Sequence, residues 1–277
     1  MAVDQHYENF PVASFFVPHQ IRAHVVAIYR FARHADDVAD EGDASDQSRL
    51  SQLALLHADI RALFRFETTT TPVVRALTAL RDAAIPGISA QPFLDLLSAF
   101  SQDVHIKRYA TFDGLLDYCR RSANPVGRLM LALLAVQDAA SIAASDRICT
   151  ALQLINFWQD AAIDASRGRI YVPQHDFARL KMSDKNFPDH PDHRALMKFQ
   201  CERTRAMMLA GAPLIGVLRG RFRIEIAFTV AGGLRILEKI ERNQFDVSIR
   251  PTLRWYDAPR LLFLATRALL SSKQNSP

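Results

Sequence analysis

The chain has 277 residues, 49% of them hydrophobic, which is enough for a sizeable core in one large domain or two small ones. Its formal charge is +5, and residues 219 to 267 hold ten Lys/Arg against five Asp/Glu, a surplus equal to the whole net charge. Cys119, Cys149 and Cys201 lack metal-ligand spacing and give no disulfide framework. No apolar run reaches the roughly 18 residues of a spanning helix, and acidic and aromatic residues interrupt any leader-like opening, so a cytoplasmic protein is expected.

Ser14-Phe15-Phe16-Val17-Pro18 precedes a helical pattern from about 19 to 41, with Ile21, Val25, Ile28, Ala32 and Ala35 at three- and four-residue spacing, and Gly42 ends it. Further helical patterns run at about 46 to 66, 72 to 84 and 91 to 104. Another begins near Thr111 and should break at Asn124-Pro125-Val126-Gly127, because proline donates no hydrogen bond and disfavours helical geometry before it. A pattern from about 141 to 165 leads into Ser166-Arg167-Gly168-Arg169-Ile170-Tyr171-Val172-Pro173, which reads as a loop, and 183 to 193 reads as an exposed connection. Long patterns return at about 194 to 218, 221 to 243 and 256 to 271, before a polar tail at 272 to 277. Strand signals are scarce and no solenoid period is present, so a single all-α domain over 1 to 277 is expected.

Two stretches in this plan carry an electrostatic oddity. Asp36 and Asp40 lie four residues apart in one helix, and Asp160 and Asp164 repeat the spacing in another. Such a spacing puts two carboxylates on one face, where they repel each other, so a cation is expected to neutralise them. Hard oxygen donors on rigid helices suit Mg²⁺ bridging carboxylates to a substrate phosphate. Asn156, one turn before Asp160, extends the donor set, and Arg33, Gln153 and Arg169 are candidate donors to phosphate oxygens. A diphosphate held this way could leave as a carbon–oxygen bond ionises, and Phe15, Phe16, Tyr118 and Phe157 offer aromatic faces to a carbocation. Taken singly, each aromatic also fits an ordinary core.

The residues that carry a resemblance are His6 to Ser14, Tyr29 to Asp40, Tyr118 to Gly127, Gln153 to Pro173 and Thr229 to Leu234. On them the chain resembles the squalene/phytoene synthase type of trans-isoprenyl diphosphate synthase, and within it the bacterial hydroxysqualene-forming subgroup of hopanoid biosynthesis. The resemblance implies an all-helical isoprenoid synthase fold around a central cavity, with Asp36, Asp40, Asn156, Asp160 and Asp164 on the Mg²⁺ side. Arg33, Gln153, Arg169, Ser14 and Phe15 are implied to bind substrate, and Tyr118 to stand near the reacting cation. The implied reaction turns presqualene diphosphate into hydroxysqualene and diphosphate. The alternative is condensation of two allylic diphosphates such as farnesyl diphosphate, and a non-catalytic lipid-binding scaffold is the reading outside enzymes.

Two departures from the family pattern stand out. Ser122-Ala123-Asn124 replaces the usual Val-Ala-Gly, and Gln159 stands where arginine is usual. Asn124 is therefore expected either to position the quenching water or to satisfy backbone freed by Pro125, and one diphosphate contact is in doubt at Gln159. The basic C-terminal quarter, Arg250, Arg254 and Arg260 included, could meet an anionic membrane, and association with pathway enzymes is left open. Nucleic-acid binding is not expected, because no recognition motif is present.

Overall fold

The computed structural model describes residues 17–188 and 192–271. Among them are fourteen α-helices and no β-strand. The first group is α1 (His19–Asp40), α2 (Asp46–Phe64), α3 (Pro72–Arg75), α4 (Thr78–Asp82), α5 (Gln91–His105), α6 (Phe112–Ser122) and α7 (Asn124–Leu133). Then come α8 (Ala139–Gln159), α9 (Ala161–Ser166), α10 (Gln174–Arg179), α11 (His193–Gly211), α12 (Leu214–Val217), α13 (Gly220–Arg242) and α14 (Ala258–Ser271). Two apolar clusters hold these helices together, and Met130 of α7 packs against both.

In the first cluster α1 buries Val25, Ile28, Phe31, Ala35 and Ala39, so its acidic positions fall on an adjoining, more open face. Phe31 meets Phe93 of α5 edge to face at 5.3 Å, a preferred aromatic geometry. The end of α1 is fixed from α2: Gly42 takes φ +74°, and the buried Arg49 donates to the carbonyls of Val38, Gly42 and Ala44 at 3.1, 2.6 and 3.0 Å. Carbonyls orphaned at a helix terminus thus gain a charged donor, which holds the Asp36 to Asp40 turn in place.

The second cluster is built round α8, against which α6, α7, α11 and α13 pack. Gly211 lets α11 approach α8 closely, since a Cβ there would stand 2.7 Å from the Ala144 carbonyl oxygen. Trp158 is buried on this side and donates its indole N–H to Thr204 at 2.8 Å.

The expected break before Pro125 is present, with α6 and α7 meeting at Ala123. Three expectations need correction. The 141–165 pattern is two helices divided at Asp160, the 194–218 pattern divides before Leu214 after Pro213, and the 72–84 pattern is the two short helices α3 and α4. Within the 183–193 connection, residues 183–188 are better anchored than their polar composition suggests: Asp184 pairs with Arg108 at 2.8 Å, and Phe187 is buried beside Phe177.

Candidate active site

The first aspartate pair stands at the end of α1. Arg33 lies 3.3 Å from Asp36, 2.8 Å from Asp37 and 2.7 Å from Glu41, so its charge is spent along its own helix. Asp40 instead accepts a two-pronged pair of bonds from Arg169, at 2.9 and 2.5 Å, across 129 residues of sequence. Two parallel guanidinium–carboxylate bonds, here from both terminal nitrogens, fix orientation as well as distance. Arg169 is itself held by backbone: its N–H donates to the Asp164 carbonyl at 2.8 Å, and the next residue, Ile170, donates to Lys107 at 3.0 Å within a single parallel bridge between Arg108 and Ile170. The Gly168 to Pro173 segment is therefore a brace that joins α1, α9 and the 107–110 segment.

The second pair spans a helix junction. Asp160 leaves helical geometry at φ −102° and ψ 9°, yet its carbonyl still accepts from the Asp164 N–H at 2.8 Å. The four-residue spacing survives the break. Asp160 pairs with Arg250, which reaches it across 90 residues with its Nε and with Nη2, the latter at 3.2 Å. Gln159 is almost fully buried, and its side-chain amide donates to the Pro251 carbonyl at 2.5 Å, pinning the segment that carries Arg250. A cation absent at position 159 thus stands beside Asp160 from position 250, distant in sequence. Arg250 faces the aspartates, not an outer surface as expected above.

The carboxylates of both pairs sense one another. Burial first, and then Asp40, pushes the Asp36 carboxyl up to about 6, and burial with Asp160 pushes Asp164 up to about 7. Asp36 is nonetheless half-exposed, as expected of a carboxylate in a recess that water enters but protein surrounds. Arg169 is held far above its ordinary value by its bonds to Asp40.

Beside the aspartates lies an aromatic wall. Tyr171, delivered by the brace, stacks on Phe157 of α8 with centroids 3.7 Å apart and planes 7° apart. Tyr118 of α6 and Tyr109 close round them, with Tyr118 6.1 Å from Phe157 and 5.7 Å from Tyr109. The Tyr118 hydroxyl donates to the buried Asp103 of α5 at 2.6 Å. Burial pushes the Asp103 carboxyl up to about 7 against the pull of that hydrogen bond, with the Asp40 charge adding to the rise. Burial also raises the Tyr118 phenol well above its ordinary value.

The structure thus brings together Asp36, Asp40, Asp160, Asp164, Arg169 and Tyr118. Gln153 and Asn156 precede Asp160 on one face of α8 at three- and four-residue spacing, Gln153 half-buried and Asn156 exposed. Asn124 is buried, and its carbonyl oxygen accepts from Thr150 of α8 at 2.9 Å. Ser14 and Phe15, with Phe16, lie outside the described residues. Sequence reasoning missed Asp103, Tyr109 and the role of Arg250. Asp103 shows no spacing signal, and only the pairing with Tyr118 singles it out.

Among the described residues no three carboxylate, imidazole or thiol groups converge into a preformed cation cage. The donor set still fits Mg²⁺. It is made of hard oxygens, it holds two carboxyls raised by burial and by a neighbouring carboxylate, both of which a cation would offset, and Mg²⁺ keeps waters and shares its coordination with phosphate instead of needing an all-protein cage.

A family model described as squalene/phytoene synthase matches residues 3–257. The hydroxysqualene synthase of Sinorhizobium fredii is 34% identical over 241 residues, covering 84% of this chain and 80% of its own length. That of Zymomonas mobilis is 41% identical over 170 residues, 60% of this chain and 54% of its own length. A solved squalene synthase HpnC from Alicyclobacillus acidocaldarius matches with a TM-score of 0.78 at 33% identity, covering 87% of this chain and 90% of that one. A dehydrosqualene synthase structure at 21% identity, with a TM-score of 0.80, shares the fold. The aspartate pairs, the brace and a match across nearly the whole chain lead to one conclusion: this chain belongs to the squalene/phytoene synthase family, enzymes that act on prenyl diphosphates in isoprenoid biosynthesis.

Proposed function

We propose that the enzyme converts presqualene diphosphate and water into hydroxysqualene and diphosphate, with residues 1–277 acting as one catalytic domain. The observation that carries this reading is the adjacency of two environments. The Asp40–Arg169 clamp, a strongly polar end suited to a diphosphate, stands beside the Tyr118–Phe157–Tyr171 wall. Asp36, Asp40, Asn156, Asp160 and Asp164 would hold Mg²⁺, which when bound neutralises the charge of the departing diphosphate. Arg169 and Arg250 stand against Asp40 and Asp160 and would donate to the phosphate oxygens of a diphosphate held there, with Arg33 and Gln153 adding to that set.

The wall keeps bulk water from the cation left after ionisation, and its ring faces stabilise positive charge during rearrangement. Capture by water forms the new carbon–oxygen bond and releases one proton. The Tyr118–Asp103 pair is suited to receive it, because a carboxyl raised to about 7 gives and takes protons near neutrality. Asn124 would position α6 and α7 through Thr150. A second reading, condensation of two allylic diphosphates, is favoured by 30% identity to the phytoene synthase of Mycobacterium bovis over 75% of this chain. The test is to incubate the purified enzyme with Mg²⁺ and either presqualene diphosphate or farnesyl diphosphate, without a reductant, and identify the products. Hydroxysqualene from the first substrate is expected; turnover of farnesyl diphosphate alone would establish the second reading.

A further inference from the structure

The C-terminal helix turns an apolar face outward. Leu262, Phe263 and Leu270 of α14 are 59%, 55% and 61% exposed, at helical spacing that puts them on one side together with Thr266. The 3-10 turn Trp255–Asp257, directly before the helix, adds Trp255 at 87% exposure with Tyr256 beside it. A fully presented tryptophan next to a leucine–phenylalanine face is unusual for a surface that meets only water.

Its rim is cationic. Arg254, Arg260 and Arg267 are exposed around it. Between residues 248 and 271 the single acidic residue, Asp257, is fully buried and paired with Arg235 and Lys239. Arg260 shares Glu238 with Arg235, and Glu238 is mostly shielded. Within residues 248–271 the patch therefore shows arginine without exposed compensating acid. Were two copies to meet through it, a twofold axis would bring arginine rim against arginine rim, which disfavours self-association. Apolar depth, a tryptophan and flanking arginines together match an anionic bilayer surface, where tryptophan rings settle at the headgroup level and arginine stems reach back to phosphates.

We propose that the Trp255–Leu270 face is a peripheral docking surface for membranes that carry anionic lipid. The face is also placed to serve the site: Arg250, on Asp160, is five residues from Trp255, a span of at most about 18 Å. Docking through α14 sets the diphosphate end near the lipid surface without inserting a spanning helix, and no helix among the described residues is long and apolar enough to be one.

The two tryptophans make the test direct, because Trp158 is buried and only Trp255 can respond to lipid. The whole chain is mixed with phosphatidylcholine vesicles with and without phosphatidylglycerol, and emission, acrylamide quenching and co-sedimentation are measured. With the anionic vesicles the emission should move to the blue, quenching should fall and the protein should sediment. Arg254→Gln and Arg267→Gln should each weaken binding about fivefold, and Leu262→Ser with Phe263→Ser about tenfold or more. All these side chains are exposed, so melting temperatures should not change. Equal binding to neutral vesicles, no response of Trp255, a Trp255 already shielded by residues 1–16 in lipid-free protein, or a lipid-independent dimer by ultracentrifugation would each overturn the proposal.

Discussion

The two aspartate pairs share a sequence spacing and differ in almost everything that holds them. Asp36 and Asp40 ride one uninterrupted helix whose end is fixed by Arg49, and Asp40 is clamped by Arg169 from the brace. Asp160 and Asp164 straddle a helix junction, and Asp160 is clamped by Arg250 from the segment before α14. Each pair is thus answered by an arginine far away in sequence. Equal motifs do not imply equal mechanics: the first half is set by local helix geometry, whereas the second depends on the 243–257 connection staying in place.

The largest effect should come from removing the second half altogether. Asp160→Asn with Asp164→Asn is expected to lower kcat/KM about 10²–10³-fold, read from product formed per enzyme at saturating Mg²⁺; retained activity would break the equivalence of the two pairs. Next in size is Asp103→Asn. Loss of the proton acceptor should slow turnover about 10²-fold and flatten the pH–rate profile near 7, and Tyr118→Phe should reproduce the slower rate while keeping an ionisable Asp103.

The clamps distinguish the halves. Arg169→Ala and Arg250→Ala should each cost about ten- to hundredfold in kcat/KM, since a charge-assisted bond is lost. Arg169→Lys should restore little, because Asp40 is held by two parallel bonds that a single ammonium cannot copy. Arg250→Lys should recover more, because the Arg250 side chain is more exposed than that of Arg169 and an ammonium there is less costly to hold against Asp160. Similar rescue of both variants in steady-state kinetics would remove the distinction.

A smaller effect concerns stability. Asp36 at about 6, and Asp103 and Asp164 at about 7, bind protons more tightly in the folded chain than at their ordinary value of 3.8. Between about pH 4 and pH 7 the folded state therefore holds more protons than the unfolded one, and stability falls as pH rises through that window. Carboxyls held low, such as Asp59 and Asp246, act at more acid pH and do not mask the trend. The metal-free protein should melt several degrees lower at about pH 8 than at about pH 5, and Mg²⁺ with diphosphate should raise the melting temperature more at the higher pH. Smallest of all, Asn124→Ala should cost about 1 kcal/mol by orphaning Thr150 and leave the product unchanged. Loss of hydroxylated product at an unchanged melting temperature would instead give Asn124 a role in placing water.

Much of the fold was legible because helical periodicity is a local signal. The limits of α1, α5 and α13 follow from apolar residues at three- and four-residue spacing, and the break at Asn124-Pro125 from the chemistry of proline. The junction at Asp160 was not legible, since Asp160 is neither glycine nor proline and its departure from helical geometry coincides with pairing to a distant arginine. Asp103 was equally silent: a lone aspartate near a helix end reads as solvated until the structure buries it against Tyr118.

The sequence by itself determined the helical class, the spacing of the two carboxylate pairs and the chemistry they call for, because each follows from residues within one or two turns of each other. Only the tertiary structure decided which cations answer those carboxylates, where the aromatic wall stands and which carboxyl lies beneath it. Arg169 and Arg250 reach their carboxylates across 129 and 90 residues, and Asp103 meets Tyr118 across 15 from another helix, separations that are fixed by how helices pack. The same packing leaves one side of α14 exposed among the described residues, in a stretch that reads as ordinary amphipathic helix.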